Sequence, residues 1–194
     1  MSLILERVAG KKVILIIDET GDKKKGDTTD YVTRQYIGNL GKVENGIVSV
    51  NAYGVVGNTL FPLMFKVFKP QATLLPEDTY KTKSQPALEI ISELEGMGFK
   101  IDQVLADSRY GESSKFIQGL NKLHLKYVVA IRRNHKAWLN QEEVTYSDWQ
   151  TFDRVFSNAN EQTRFIQEII CPGSGEVRYW KITSDFFRER KTNT

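Results

Sequence analysis

Residues 13–18 read Val-Ile-Leu-Ile-Ile-Asp. The first five are apolar and mostly β-branched, a composition suited to a strand covered on both faces. The run stops at Asp18, so residues 13–17 are predicted to form a central strand with a carboxylate directly after it. The segment that follows, residues 19–45, is polar and punctuated by Gly21, Gly26, Gly38 and Gly41. It reads as a long loop carrying the cluster Lys23, Lys24 and Lys25.

Further along, residues 46–56 alternate between apolar Val48, Val50 and Ala52 and their neighbours Ser49, Asn51 and Tyr53. That period of two marks a half-buried strand. Gly57-Asn58 is a two-residue hairpin signal. A partner strand over 59–69 carries Leu63, Phe65 and Val67 on one face, and Pro62 near its start favours an edge position. Ser84-Gln-Pro86 opens a helix, with Ser84 as cap and Pro86 in the first turn. Leu88, Ile90, Ile91 and Leu94 form its apolar face, and Gly96 and Gly98 end it. Residues 101–106 form a short strand that ends at Asp107. Residues 112–123 form a second helix on Phe116, Ile117, Leu120 and Leu123, and residues 126–131 another strand. The order β-β-β-α-β-α-β implies an α/β fold with a mixed sheet of about five strands, close to the ribonuclease-H-like layout.

The character changes after Arg132. Residues 133–162 are polar and irregular, anchored by Trp138, Trp149 and Phe152. Two β-rich stretches, 163–171 and 176–183, are joined by the turn-like Pro172–Gly175, and the charged tail from Arg188 is expected to fray. The chain is therefore divided into a core over 1–132 and a β-rich region with a tail over 133–194.

Composition excludes several classes. The 194 residues carry a net charge of +3 and are 40% hydrophobic, 11% aromatic and 26% charged, which is ordinary for a globular domain. The single cysteine, Cys171, cannot form an intrachain disulfide and fits a reducing cytoplasm. No run is long enough to act as an export or membrane segment.

Asp18 and Asp107 each follow a strand, at the end of an α/β sheet where sites gather. Two converging carboxylates make an oxygen-rich site suited to Mg²⁺ or Mn²⁺, and such metals can activate water against a phosphodiester. The plainer reading is that each is a turn or cap residue. Other chemistries fare worse. Residues 16–21 match the DxxG element of GTPases, but no phosphate-binding G-x-x-x-x-G-K-[ST] loop exists. An aspartate-nucleophile phosphatase would want Asp where Thr20 stands. Zinc lacks ligands, since His124 and His135 are the only histidines and are not at ligand spacing. Cys171 reads as a buried strand residue rather than a nucleophile.

The lysine cluster is a solvated loop or a phosphate-contacting one. Arg34, Lys42, Arg109, Lys115, Arg132 and Arg133 could extend a basic surface. Tyr36 and Tyr110 either stack on bases or pack internally.

Residues 14–45, ILIIDETGDKKKGDTTDYVTRQYIGNLGKVEN, resemble the first catalytic motif of DDE transposases from bacterial insertion sequences. The pieces are Asp18–Gly21, Lys24-Lys25-Gly26, Arg34-Gln35-Tyr36 and Gly41-Lys42. TKSQPALEIIS (82–92) resembles that family's Thr-Lys segment and helix, VLADSRYG (104–111) its second catalytic motif, and YVVAI (127–131) the following strand. The similarity runs in order over about residues 11–183. It implies a ribonuclease-H-like core, with residues 133–183 beginning a β-rich insertion. It further implies metal-dependent cutting of a DNA strand at an element's end, then attack of the freed 3′-hydroxyl on target DNA. Asp18 and Asp107 fall on the first two metal-binding acids, and Lys24, Lys25 and Arg34 on positions that would steer DNA.

The family's third acid is a Glu on a helix after the insertion. No segment here matches it; Glu189 in FFRERK is the one late candidate, in different surroundings. The resemblance also implies an N-terminal, mostly helical, DNA-binding region, which would be missing here. The expectation is thus a transposase fragment truncated at both ends, nearly or wholly inactive, located in the cytoplasm with the nucleoid. Its partners would be insertion-sequence ends, target DNA and full-length transposase. The alternative is a non-catalytic regulator that binds DNA or transposase; a decayed remnant is a third reading.

Overall fold

Strand β1 runs from Lys12 to Lys23, and the rest of the fold is arranged around it. The computed structural model describes residues 2–26, 28–132 and 134, and the backbone of 136–137, 150–151, 166–171 and 177–182. The chain divides between Ile131 and Arg132 into two units, each described by itself.

In the first unit, a helix α1 (Ser2–Val8) leads into β1. Then come β2 (Thr33–Ile37), a 3-10 turn (Gly38–Leu40), β3 (Lys42–Val56) and β4 (Thr59–Val67). Helix α2 (Ser84–Gly96), strand β5 (Lys100–Ala106), helices α3 (Ser108–Gly111) and α4 (Ser114–Lys122), and strand β6 (Lys126–Val129) complete it. β1 lies between β3, antiparallel to it, and β5, parallel to it; β6 extends the parallel side. β2 and β4 both pair with β3, β2 at Lys42–Gly46 and β4 at Ser49–Val56. The result is a six-stranded mixed sheet with few helices, an α/β fold of ribonuclease-H-like layout.

The core forms where the alternation predicts it. Val13, Leu15 and Ile17 of β1 and Val50 and Ala52 of β3 are buried against Ala87, Ile90, Ile91 and Leu94 of α2 and Phe116 and Leu120 of α4. The predicted hairpin forms at Gly57-Asn58, joining Val56 to Thr59. Gly57 has φ +58 and Asn58 does not share a positive φ, the pattern of a II′ turn.

The long loop expected over 19–45 is mostly strand. β1 continues past Asp18 to Lys23 because residues 46–51 of β3 pair with it, Asp18 opposite Asn51 and Lys23 opposite Gly46. Of the glycines that suggested a loop, Gly21 is a packing position, whereas a Cβ on Gly26, Gly38 or Gly41 would meet nothing within 4 Å. A Cβ on Gly21 would lie 2.4 Å from Ile37 Cγ2, and one on Gly46 2.4 Å from the Asp22 carbonyl oxygen. Ile37 is fully buried there.

Ser84 begins α2 but does not cap it: its hydroxyl shares a 2.7 Å hydrogen bond with the Ser113 hydroxyl. The helix start is held instead by the Thr82 N–H, which donates to Gln85 Oε1 at 2.8 Å. Its end is a Schellman turn, with Phe99 N–H donating to Leu94 O and Gly98 N–H to Glu95 O. The helix expected over 112–123 forms as α4, capped by Ser113, and a further short helix, α3, capped by Asp107, precedes it. His124 follows the C-cap of α4 in a left-handed conformation with φ +54. Helix α1 was not foreseen; at seven residues it depends on Ile4, Leu5 and Val8 packing on the core.

In the second unit, β7 (Lys136–Ala137) pairs with β8 (Gln150–Thr151), and β9 (Ile166–Cys171) with β10 (Val177–Ile182), both antiparallel. The two predicted β stretches thus pair antiparallel, and Cys171 is a strand residue. Arg133, His135, Trp138, Trp149, Phe152 and Glu189 lie outside the described residues.

Candidate functional site

The parallel ladder between β1 and β5 ends with Ile17 opposite Ala106. The next residues on the two chains are Asp18 and Asp107. Parallel register therefore sets the two acids next to each other just past the end of the β1–β5 ladder, although 88 residues separate them. Both are exposed, while Ile17 before Asp18 is 1% exposed.

Each acid is held by its own backbone surroundings. Asp18 Oδ1 accepts the Glu19 N–H at 2.8 Å. Asp107 Oδ1 caps α3, accepting the Arg109 N–H at 3.0 Å and the Tyr110 N–H at 3.4 Å. The cap reading of Asp107 is therefore correct, and it occupies only one oxygen. Among the described residues no partner engages Oδ2 of either acid.

Around the pair stands a charged cluster. Glu19 Oε2 accepts from Lys83 Nζ at 2.8 Å and from Arg109 Nη1 at 3.1 Å. The Arg109 guanidinium lies over the Tyr36 ring, 5.9 Å from its centroid. Tyr110 is 1% exposed with its ring 5.0 Å from that of Phe116, so it packs internally and offers no base-stacking surface. Burial, followed by the charges of Glu19 and Asp107, pushes its hydroxyl above the usual tyrosine range. Gly111 closes the motif: a Cβ there would lie 1.9 Å from the Ala130 carbonyl oxygen, so α3 approaches the end of β6 through bare backbone.

Lys24, Lys25 and Arg34 lie at the far end of β1. The Lys24 N–H donates to Asn45 O at 2.9 Å, and Arg34 is the register partner of Asn45. Lys24 and Arg34 thus flank Asn45 on the same sheet face as Asp18, because residues 18, 20, 22 and 24 share one side of the strand. Lys24 also pairs with Asp22, whereas Lys25 and Arg34 are exposed. Six residues at about 3.3 Å each put the basic end ~20 Å from Asp18. Lys42 is drawn instead to Glu44, at 2.9 Å, which also holds Lys23.

Over residues 1–152 the sequence matches a family described as DDE superfamily endonuclease. The chain belongs to that family. It is also 54% identical over 187 residues to a probable transposase for insertion sequence element IS701 from Microchaete diplosiphon. The match covers 95% of this chain and 49% of the relative, so the chain spans about half the relative's length. No solved structure matches it. No described helix is long and apolar enough to cross a membrane.

DDE-superfamily endonucleases generally use divalent metals, and the donor set here suits one in kind. Two exposed carboxylates with free oxygens are what Mg²⁺ takes when phosphate and water complete its shell. Among the described residues no group of three or more His, Cys, Asp or Glu side chains completes a metal site. Glu19 was missed by the sequence reading. Its only local signal was adjacency to Asp18; its partners come from 64 and 90 residues away.

Proposed function

We propose that this chain carries part of the catalytic domain of an insertion-sequence transposase, with Asp18 and Asp107 as two of its metal-binding carboxylates. The register that places the two acids side by side supports this most directly. Mg²⁺ or Mn²⁺ held between them would offset charge on a DNA phosphate and ease ionisation of the attacking water. The reaction is hydrolysis of a DNA strand at the element's end, followed by attack of the 3′-hydroxyl on target DNA.

The chain's own residues divide the work. Asp18 and Asp107 present negative charge that repels a phosphodiester unless a cation intervenes. Lys24, Lys25 and Arg34 hold the DNA backbone about 20 Å away, roughly six phosphate steps along one strand. Because they contact phosphate, they bind without reading sequence. The protein would act in the cytoplasm, at the nucleoid. A catalytic unit missing one member commonly loses orders of magnitude in rate. With two acids in place among the described residues, the isolated chain is expected to cut slowly or not at all.

Calorimetric titration with Mn²⁺, paired with nicking of supercoiled plasmid, tests the reading. The wild type is expected to bind Mn²⁺, and Asp18→Ala and Asp107→Ala to lose it together with any nicking. Equal Mn²⁺ binding by all three proteins, or none by the wild type, overturns the assignment. Salt-sensitive DNA binding with no Mn²⁺ binding by the wild type would favour the regulator alternative, including pairing with full-length transposase.

A further inference from the structure

The geometry points to Glu19 as a positioning residue: its ion pair with Arg109 is a strut that sets Asp18 and Asp107 relative to each other. The role in metal binding rests on the function proposed above; the strut itself does not.

The connection is continuous. Asp18 Oδ1 accepts the Glu19 N–H, Glu19 Oε2 accepts from the Arg109 guanidinium, and the Arg109 N–H donates to Asp107 Oδ1. Each acid is thus bonded to the backbone of one partner in the same ion pair. Asp18 lies in β1 and Asp107 directly follows β5, and pairing between those two strands stops one residue before the acids. Beyond that point the side-chain path is what joins their backbones.

The strut is stiffened from two directions. Lys83, at the start of α2, bonds the same Glu19 oxygen and lies over the Phe68 ring at 5.1 Å. Glu19 and Lys83 side chains are 13% and 18% exposed, so their attraction is less screened than at an open surface. Glu19 Oε1 and the Tyr110 hydroxyl are both buried without a hydrogen-bond partner. One is an acceptor and the other a donor, and Glu19 is the foremost charge acting on that hydroxyl. A buried carboxylate with an uncommitted oxygen is costly. Glu19 also neutralises two cations that would otherwise weaken metal binding by the acids.

The test uses the full chain as wild type, Glu19→Ala, Glu19→Gln, Arg109→Lys and, as a remote control, Lys12→Ala. Lys12, at the opposite end of β1, pairs with Asp102 alone among the described residues. Mn²⁺ affinity is read by calorimetry, and amide exchange at Arg109 and Tyr110 is read without metal. Glu19→Ala is expected to weaken Mn²⁺ binding about 10–100-fold. It should also speed exchange at those two amides about tenfold. Arg109→Lys should fall between, and Lys12→Ala should change neither. Mn²⁺ affinity within twofold of wild type, with unchanged exchange, overturns the proposal and leaves a merely structural ion pair. If wild type binds no Mn²⁺, the metal reading fails and exchange alone decides the strut: faster upholds it, unchanged refutes it. Should Glu19→Ala not fold, Glu19→Gln, which keeps the shape and removes the charge, carries the same two readouts.

Discussion

Residues Lys12–Ile17 and Asp18–Lys23 form one continuous strand in two different surroundings. The first half pairs with β5 and, from Ile14, with β3; its Val13, Leu15 and Ile17 are 0%, 0% and 1% exposed. The second half pairs with β3 alone, and Asp18, Thr20, Asp22 and Lys23 are exposed. Strand length here follows hydrogen-bonded pairing, whereas burial follows the parallel neighbour and the helices. Asp18 sits where the second condition lapses and the first persists. It is therefore rigid in backbone and open in side chain, a combination suited to a metal ligand.

The largest contrast should appear in stability. Leu15→Ala is expected to cost about 2–5 kcal/mol by denaturant melts, whereas Thr20→Ala should cost less than about 1 kcal/mol. Similar losses at both positions would mean the two halves are equally packed. Gly111→Ala should cost about 1–3 kcal/mol, because its Cβ meets a backbone oxygen with no room to retreat. It should also weaken Mn²⁺ binding, since α3 carries the cap on Asp107. A variant as stable as wild type would show that α3 can shift freely against β6.

A smaller effect is expected at the outer half. Lys24→Ala and Arg34→Ala should each reduce the salt slope of DNA binding by roughly 0.9, read by fluorescence anisotropy at several salt concentrations. An unchanged slope would remove that residue from the DNA surface. The smallest effect concerns the segment after β4, where Lys69 lies over the ring of Tyr31, from the β1–β2 connection, and pairs with Asp78. The Lys69 ammonium, and then the Leu75 N–H, hold the Asp78 carboxyl below its usual value of 3.8. Its contribution is therefore complete above about pH 4 and fades as pH falls through the lower folded value. The melting-temperature gap between wild type and Asp78→Asn should close between pH 4 and pH 2. A gap that persists at pH 2 would mean the carboxyl acts through shape rather than charge.

Local pattern was sufficient for much of this. The alternation over 46–56, the Gly57-Asn58 turn and the apolar faces of α2 and α4 are repeats of two and 3.6 residues, visible within a dozen positions. It misled where one residue type serves two purposes. Gly21 looked like a loop residue and is a strand position emptied for Ile37; Ser84 looked like a cap and bonds Ser113. Those partners are 16 and 29 residues away, beyond any local pattern.

The same division runs through the site. Asp18 and Asp107 each follow an apolar run, and lysines come soon after the first; that much is local. The pairing of Ile17 with Ala106, the placing of Lys24 and Arg34 beside Asn45, and the meeting of Glu19 with Lys83 and Arg109 arise on folding. Burial preferences are written residue by residue, because each side chain carries its own transfer free energy. Register between distant strands is not, because it is chosen by the pairing and packing of the whole sheet at once.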